Sequence, residues 1–461
     1  MKRSLKDIEI VKTSHDVGEK RVLIAANESG CSLTQIAVTE LKAGEVAVAH
    51  IHPDMQEGFY ILSGTLDVYL DGEVEHCEAE DFVYVQSGTA HELRAITDVR
   101  VLTIGCVIEA MREKLYPMLF EPNMHPVVWG GQRLMEWKQL GDENLRKQPV
   151  GESWEVSAVE SSPSIVANGT WAGYPITEVI ERRPSEILGK SVAKKYNGKM
   201  PLLAKFIDAN LDLSIQVHPN DEMAKREHGK LGKSEMWYVI DAKPGAYLYA
   251  GFKDSLSPEE YKRKVEDGTI IDSLAKHEVH PGDVFYLPAG RIHAICSGIL
   301  LAEIQQSSDV TYRIYDYNRP GMDGKPRELH TELASKALDY TVYNEYRTEY
   351  QEASGAVNQC LDTPYFSVRI VDAKTPVHRD LIKYDSFIIL MCTDCSCKVR
   401  IRSTKAEITL TEGYSCLIPA AIANYDIIPF DKQVRLLESY IDNRPPSFFR
   451  TLVSNFGHWK A

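Results

Sequence analysis

The 461-residue chain is short of the features that would send it out of the cell or into a bilayer. Its first twenty residues, MKRSLKDIEIVKTSHDVGEK, contain no apolar run of signal-peptide length. Nowhere does an uninterrupted apolar stretch reach the roughly 18 residues that a membrane span requires. Nine cysteines are an odd number in a chain without an export signal, which argues against a disulfide framework. The tightest cysteine group, Cys392, Cys395 and Cys397, lacks the second ligand pair of a structural zinc site. The apolar run Phe387 to Met391 before it reads instead as a strand entering a turn. Positive charge is also in deficit, 52 Lys and Arg against 66 Asp and Glu, for a net charge of −14. That balance excludes nucleic acid and anionic membrane as expected partners. It also repels phosphorylated ligands, so any phosphate site must carry its own cations. The expected location is the cytoplasm.

Hydrophobic residues make up 44% and charged residues 26%, enough apolar material for true cores. At roughly 150 residues per domain the length suggests about three domains. The texture is mainly β: runs such as GFYILSGTLDVYLDGE (Gly58 to Glu73) and DVFYLPAG (Asp283 to Gly290) alternate with Gly, Asp and Pro turns. Helical signals are few. Ser257-Pro258-Glu259-Glu260 reads as a capping box with proline at the first helical position.

One spacing occurs three times. Glu80, Gln86, Gly88 and His91 recur as Gly282, Pro288, Gly290 and His293, and again as Gly413, Pro419, Ala421 and Asn424. Upstream stand paired positions: His50 and His52, Gln216 and His218, His378 and Asp380. An acid then precedes an apolar run: Glu57, Glu235 and Asp385. The arrangement resembles the cupins, antiparallel β-barrels that hold a metal or a sugar. The first third matches best, through Gly44, His50, His52, Glu57 and Gly64; Glu80 and Gln86 depart from the usual Gly and Pro, at turn positions. The resemblance implies three tandem cupin-like (jelly-roll) β-barrels, with a small helical insertion in the middle one. Expected boundaries are 1–112, 113–345 and 346–461.

In the middle third, residues two apart on a strand share a face, so Gln216 and His218 project together. Glu235 and His293 come from other strands and could complete a four-ligand set. Two imidazoles, one carboxylate and one amide suit a borderline divalent ion, most commonly zinc with an open position. A lone buried histidine is usually a hydrogen-bonded core residue, but four ligand types in frame on a repeat outweigh that reading.

Longer motifs add a closer likeness. SIQVHPND (Ser214 to Asp221), KSEMWYV (Lys233 to Val239), PAGRIHAI (Pro288 to Ile295), SSDVTYRIYDYNR (Ser307 to Arg319) and GESWEVSA (Gly151 to Ala158) resemble type I mannose-6-phosphate isomerases. The resemblance implies a zinc site of Gln216, His218, Glu235 and His293, and conversion of mannose 6-phosphate to fructose 6-phosphate through an enediol. It implies catalytic roles for Arg313, Lys233 and Glu303, and phosphate contacts from Lys205, Ser214 and Arg319. Either Lys233 or Glu303 could move the proton. The first third offers a second set, His50, His52, Glu57 and His91, for a divalent transition metal of unspecified identity. The last third has lost its set and reads as a degenerate unit. Two other readings stand beside the isomerase: a metal-dependent cupin oxygenase acting at the first third, and a non-enzymatic sugar-binding protein.

Overall fold

The computed structural model describes residues 2–13, 17–25, 28, 32–52, 55–107, 114–351, 353, 355, 357–430 and 432–444. They form two compact units, Met1–Lys114 with Arg182–Pro184, and Leu115–Glu181 with Ser185–Ala461. The boundary expected near residue 112 lies outside the described residues. The middle and last thirds share one unit, and just past residue 345 the chain still pairs with the middle third, Thr348 N donating to Val284 O at 2.8 Å. No helix among the described residues is long and apolar enough to cross a membrane.

The fold is mainly β, and the described residues form six antiparallel sheets. Residues 11–107 hold a six-stranded and a four-stranded sheet, and residues 124–315 a six-stranded and a five-stranded one. The remaining strands, with Met118–Leu119 added at one edge, form a six-stranded and a four-stranded sheet. The closed barrels expected from the sequence are pairs of open sheets instead, because no strand pairing joins the two sheets of a pair among the described residues. Each pair closes by packing. In the first unit Phe59, Ile61, Val83 and Val101 of one sheet meet Leu66, Val68, Leu93 and Ala95 of the other.

The recurrent spacing marks a recurrent turn. Glu80, Gly282 and Gly413 all have left-handed backbone, φ 80°, 96° and 80°. Their amides donate to Ile61 O, Val239 O and Cys392 O at 2.9, 2.8 and 2.9 Å. Glycine reaches this region freely and glutamate does not, so the departure at Glu80 is a strained copy of the same turn.

The middle strand Leu202–Ala209 is buried along its whole length. Leu202, Ala204 and Phe206 join a large core with Val368, Ile370, Leu390 and Leu437 of the last third. Leu203, Lys205 and Ile207, on the opposite face, line a cavity between the two middle sheets. Helices Ile176–Arg182, Pro184–Leu188 and Lys190–Lys195 form the insertion and bury Val179, Ile187 and Val192 in that same core. The capping box forms as the sequence indicates: Ser257 and Glu260 cap the helix Pro258–Glu266 reciprocally. Cys392 lies within the strand Ile388–Asp394 and Cys397 begins the strand Cys397–Ile401, with Cys395 at the turn between them.

Candidate active site and metal centres

Strand pairing assembles the middle centre. Gln216 on Ile215–Val217 lies opposite His293 on one side and Arg313 on the other. His218 follows directly, its carbonyl held by Gly290 N at 2.9 Å. Glu235 opens the strand Glu235–Ala242 on the facing sheet. The result brings His218, Glu235 and His293 together, fully buried, with ligand atoms all within 4.8 Å of one another.

The hydrogen bonds around this group leave a hole of definite chemistry. His218 Nδ1 lies 2.9 Å from Val310 O and His293 Nδ1 lies 2.8 Å from Arg291 O, so both Nδ1 atoms carry the proton. Both Nε2 atoms are then lone pairs, each 3.3 Å from a Glu235 oxygen; His218 Nε2 accepts from Lys233 Nζ at 3.0 Å, and His293 Nε2 is bare. Glu235 Oε1 and His293 Nε2 have no hydrogen-bond partner, while Glu235 Oε2 is ion-paired with Lys233 Nζ at 2.9 Å. Burial pushes the Glu235 carboxyl upward, but Lys233, His218 and His293 outweigh it and hold it well below its usual range. Burial, assisted by Lys233, drives the His218 imidazole down to about 3, so it stays neutral. The Lys233 ammonium answers the Oε2 and His218 side, but Glu235 Oε1 facing the bare His293 Nε2 is repulsive in a dry pocket unless a second cation lies between them. The donor set fits a divalent metal.

Beside this group, bordered by its neighbours Gln216 and Lys233, lies a cavity of about 210 Å³. A single water needs roughly 10–15 Å³ on this measure, so there is room for about a dozen or more atoms of ligand. Gln216, Lys233, Glu303, Arg313, Lys205 and Ser214 all line it. Lys233 Nζ lies 2.9 Å from Glu235 Oε2 and 3.0 Å from His218 Nε2. Glu303 Oε2 accepts from Trp237 Nε1 at 2.9 Å, while Oε1 lies 3.3 Å from Lys205 Nζ. Burial, and then the Glu235 charge, raise the Glu303 carboxyl above its usual range. Lys205 also stands 3.4 Å from Glu152 Oε2, so it is flanked by two carboxylates.

Arg319 does not line the cavity. Its guanidinium is held by Asp316, with Nη2 3.0 Å from Oδ1. The second arginine at the cavity wall, beside Arg313, is Arg327, which sequence reasoning missed, along with Glu152 and Trp154. The last two lie in the quoted motif GESWEVSA, where the alternation of their strand was the available signal. Arg327 sits in a polar loop and gave none.

The first unit repeats the metal geometry. The ligand atoms of His50, His52, Glu57 and His91 also lie within 4.8 Å of one another. Glu57 Oε2 is 3.4 Å from His52 Nε2 and 3.2 Å from His91 Nε2. His91 Nδ1 meets the carbonyl two residues before it, Thr89 O, at 3.1 Å, as His293 meets Arg291 O. Burial raises the Glu57 carboxyl, but His52 and His91 overcome it and bring it to about 2. The neighbours differ. Thr103 is opposite Phe59 where Glu303 is opposite Trp237. Ala37 is opposite Thr103 where Lys205 is opposite Glu303. Met55 stands two residues before Glu57, the place of Lys233 before Glu235.

The last third needs two corrections of alignment. Val85, Leu287 and Ile418 follow the recurrent turn at one spacing, and their partners across the ladder are Glu57, Glu235 and Ile388. The carboxylate position is therefore filled by an isoleucine, not by Asp385. Asp385 instead caps a helix, its two oxygens accepting from Lys190 N at 2.9 Å and Ser191 N at 2.7 Å. Asp380, not His378, is opposite Asn424. Among the described residues the last third holds no metal-ligand group.

The paired open sheets and buried histidine–carboxylate group define the cupin class, and residues 37–105 match the family described as Cupin domain. Residues 118–247 match the family described as Phosphomannose isomerase type I, catalytic domain. Over 256 residues the chain is 40% identical to the probable mannose-6-phosphate isomerase GmuF of Bacillus subtilis, covering 55% of this chain and 78% of that one. It is 35% identical to the mannose-6-phosphate isomerase of Streptococcus mutans, covering 58% and 89%. A crystal structure of the mannose 6-phosphate isomerase from Bacillus subtilis superposes with a TM-score of 0.62 at 30% identity, over 70% of this chain and 99% of that one. The chain belongs to the type I mannose-6-phosphate isomerases, with an N-terminal cupin domain in addition, and it is an isomerase.

Proposed function

We propose that this chain interconverts mannose 6-phosphate and fructose 6-phosphate through an enediol, with zinc held by Gln216, His218, Glu235 and His293. The observation that carries this reading is the buried, unpartnered pair of Glu235 Oε1 and His293 Nε2, 3.3 Å apart, with His218 Nε2 on the other side of the same carboxylate. A divalent ion bound there would act as a Lewis acid toward substrate oxygen.

Moving a hydrogen between C2 and C1 needs one group that takes a proton and returns it. Lys233 is already engaged by Glu235 and His218. Glu303, lifted toward neutrality by burial, is the group poised for transfer. Lys205 keeps the second Glu303 oxygen in place. Arg313, beside Gln216 in the ladder, presents fixed positive charge to the oxyanion that develops as the proton leaves. Ser214 offers a hydroxyl to the sugar phosphate.

In this reading the three sheet pairs are three cupin-like units with boundaries near residues 112 and 345, and the last is structural. The first binds a divalent transition metal at His50, His52, Glu57 and His91. With Met55, Thr103 and Ala37 in place of Lys233, Glu303 and Lys205, it lacks the middle centre's proton-transfer group and cations, which favours a binding role over a second isomerase site. The eight described cysteines are free thiols, in keeping with the cytoplasm.

A coupled assay of mannose 6-phosphate to fructose 6-phosphate, run in deuterated water with and without chelator, tests the proposal. Turnover that incorporates deuterium and stops on chelation is expected. Turnover indifferent to chelator defeats the metal assignment, and no turnover of this sugar phosphate defeats the substrate.

A further inference from the structure

The segment after Arg313 is strained in a way that its surroundings explain. Tyr317 and Asn318 are both left-handed, φ 56° and 52°, although neither is glycine. Two such residues in succession persist only where neighbouring contacts over-determine them. Here the turn folds Arg319 back, so that its Nε donates to Asp316 Oδ1 at 3.1 Å. From the other side Arg327 grips the same carboxylate as a fork, Nε to Oδ2 and Nη2 to Oδ1, both at 2.6 Å. A β-bridge between Pro320 and Pro326 closes the loop between the two arginines. Asp316 is buried.

The charges here do not cancel. Arg313, Arg319 and Arg327 gather around Asp316, with Glu328 the second acid beside Arg313: three positive groups against two negative. Arg313 spends Nη1 on Glu328 O at 3.1 Å, and its buried Nε has no hydrogen-bond partner. The facing wall is the reverse, Lys205 standing against Glu152 and Glu303. A dianion entering the cavity is drawn to the arginine end and turned away from the Lys205 end. Of the three arginines only Arg313 and Arg327 line the cavity. Arg313 is adjacent to the metal-ligand strand. Arg327 comes from the loop, and its Nη1 makes no hydrogen bond among the described residues.

We propose that Arg327 binds the phosphate of the substrate and that Asp316 is its positioning residue, held by the Tyr317–Asn318 turn. The inference rests on the sugar-phosphate reading of this cavity. Arg319 has a different part: it stays on Asp316, completing the support from which Arg327 reaches inward. The planar guanidinium suits this arrangement, since one edge can lie on a carboxylate while another faces a phosphate.

The test uses the full chain with Arg327→Met, Arg327→Lys and Asp316→Asn. Two quantities are read: KM and kcat for mannose 6-phosphate, and the affinity for inorganic phosphate by calorimetry. Arg327→Met should raise KM about ten- to a hundredfold and leave kcat within a few-fold, the pattern of a lost charged contact in binding. It should weaken inorganic phosphate by a similar factor, and Arg327→Lys should recover part of both. Asp316→Asn should raise KM without lowering kcat, which a simple loss of folding would not do. Unchanged KM and unchanged phosphate affinity in Arg327→Met overturn the assignment. The calorimetric arm needs no turnover. Wild type that binds phosphate through Arg327 but does not isomerise mannose 6-phosphate keeps this inference and rejects the substrate reading. If Arg327→Met does not fold, Arg327→Lys decides: wild-type KM and phosphate affinity there mean that a bidentate arginine is not required, and the proposal fails.

Discussion

Glu80 holds the same left-handed turn as Gly282, with its amide on Ile61 O as Gly282's is on Val239 O. Glutamate pays a steric cost there that glycine does not. Glu80→Gly should therefore raise the thermal midpoint of the first unit, by about 0.5–1 kcal/mol of stability. Gly282→Ala, the converse change, should lower stability by about 1–2 kcal/mol. If Glu80→Gly melts below wild type, the turn is not strained.

Metal content should divide between two centres. Purified protein should carry up to two divalent ions per chain. His293→Ala should lose one ion and the isomerase activity, and His91→Ala should lose the other ion while activity persists. Elemental analysis that finds full metal content in the His293 variant rejects the middle centre.

The first unit should be separable from the chemistry. Changing His50, His52 and His91 together to Gln should keep kcat within about tenfold, or 1.4 kcal/mol of barrier. A larger fall in a folded protein would show that the two centres are coupled.

The pH profile should report Glu303. Its carboxyl is raised, so the proton-accepting carboxylate is lost as pH falls through a value above the ordinary glutamate pKa of about 4.3. Activity should decline on that acid limb. Glu303→Gln should remove the limb and cost about 10²- to 10⁴-fold in kcat. Wild-type kcat in that variant assigns the proton to another group.

Asp385→Ala should uncap the helix Lys190–Lys195 and cost about 1 kcal/mol in denaturant titration. Metal content should not change. Loss of an ion would return Asp385 to the ligand role that its sequence position suggested.

What was legible in the sequence follows from how each feature is encoded. The two ligand sets could be read because a strand forces residues two apart onto one face, and because the turn before the final histidine has a fixed length. The third copy misled because its apolar run starts at Phe387, and Asp385 stands before it as Glu57 stands before Phe59. Only the ladder shows that Ile388 takes that place. Arg327 was invisible for another reason: its position depends on a loop folded back onto Asp316, a contact with no periodicity. The expected closed barrels became open sheets because closure is a matter of hydrogen bonds between sheet edges, which alternation does not specify.

The strand Leu202–Ala209 gives the reaction chamber a partition one residue thick. Lys205 faces the chamber, while Ala204 and Phe206 on either side of it face the core of the last third. The apparently inert third is thus the backing of the catalytic wall. An enlarged side chain at Ile370 or Leu437 would press on the partition from behind and could displace Lys205 without any change to a residue in the chamber. Silent-looking variation in that third is variation in the shape of the active site.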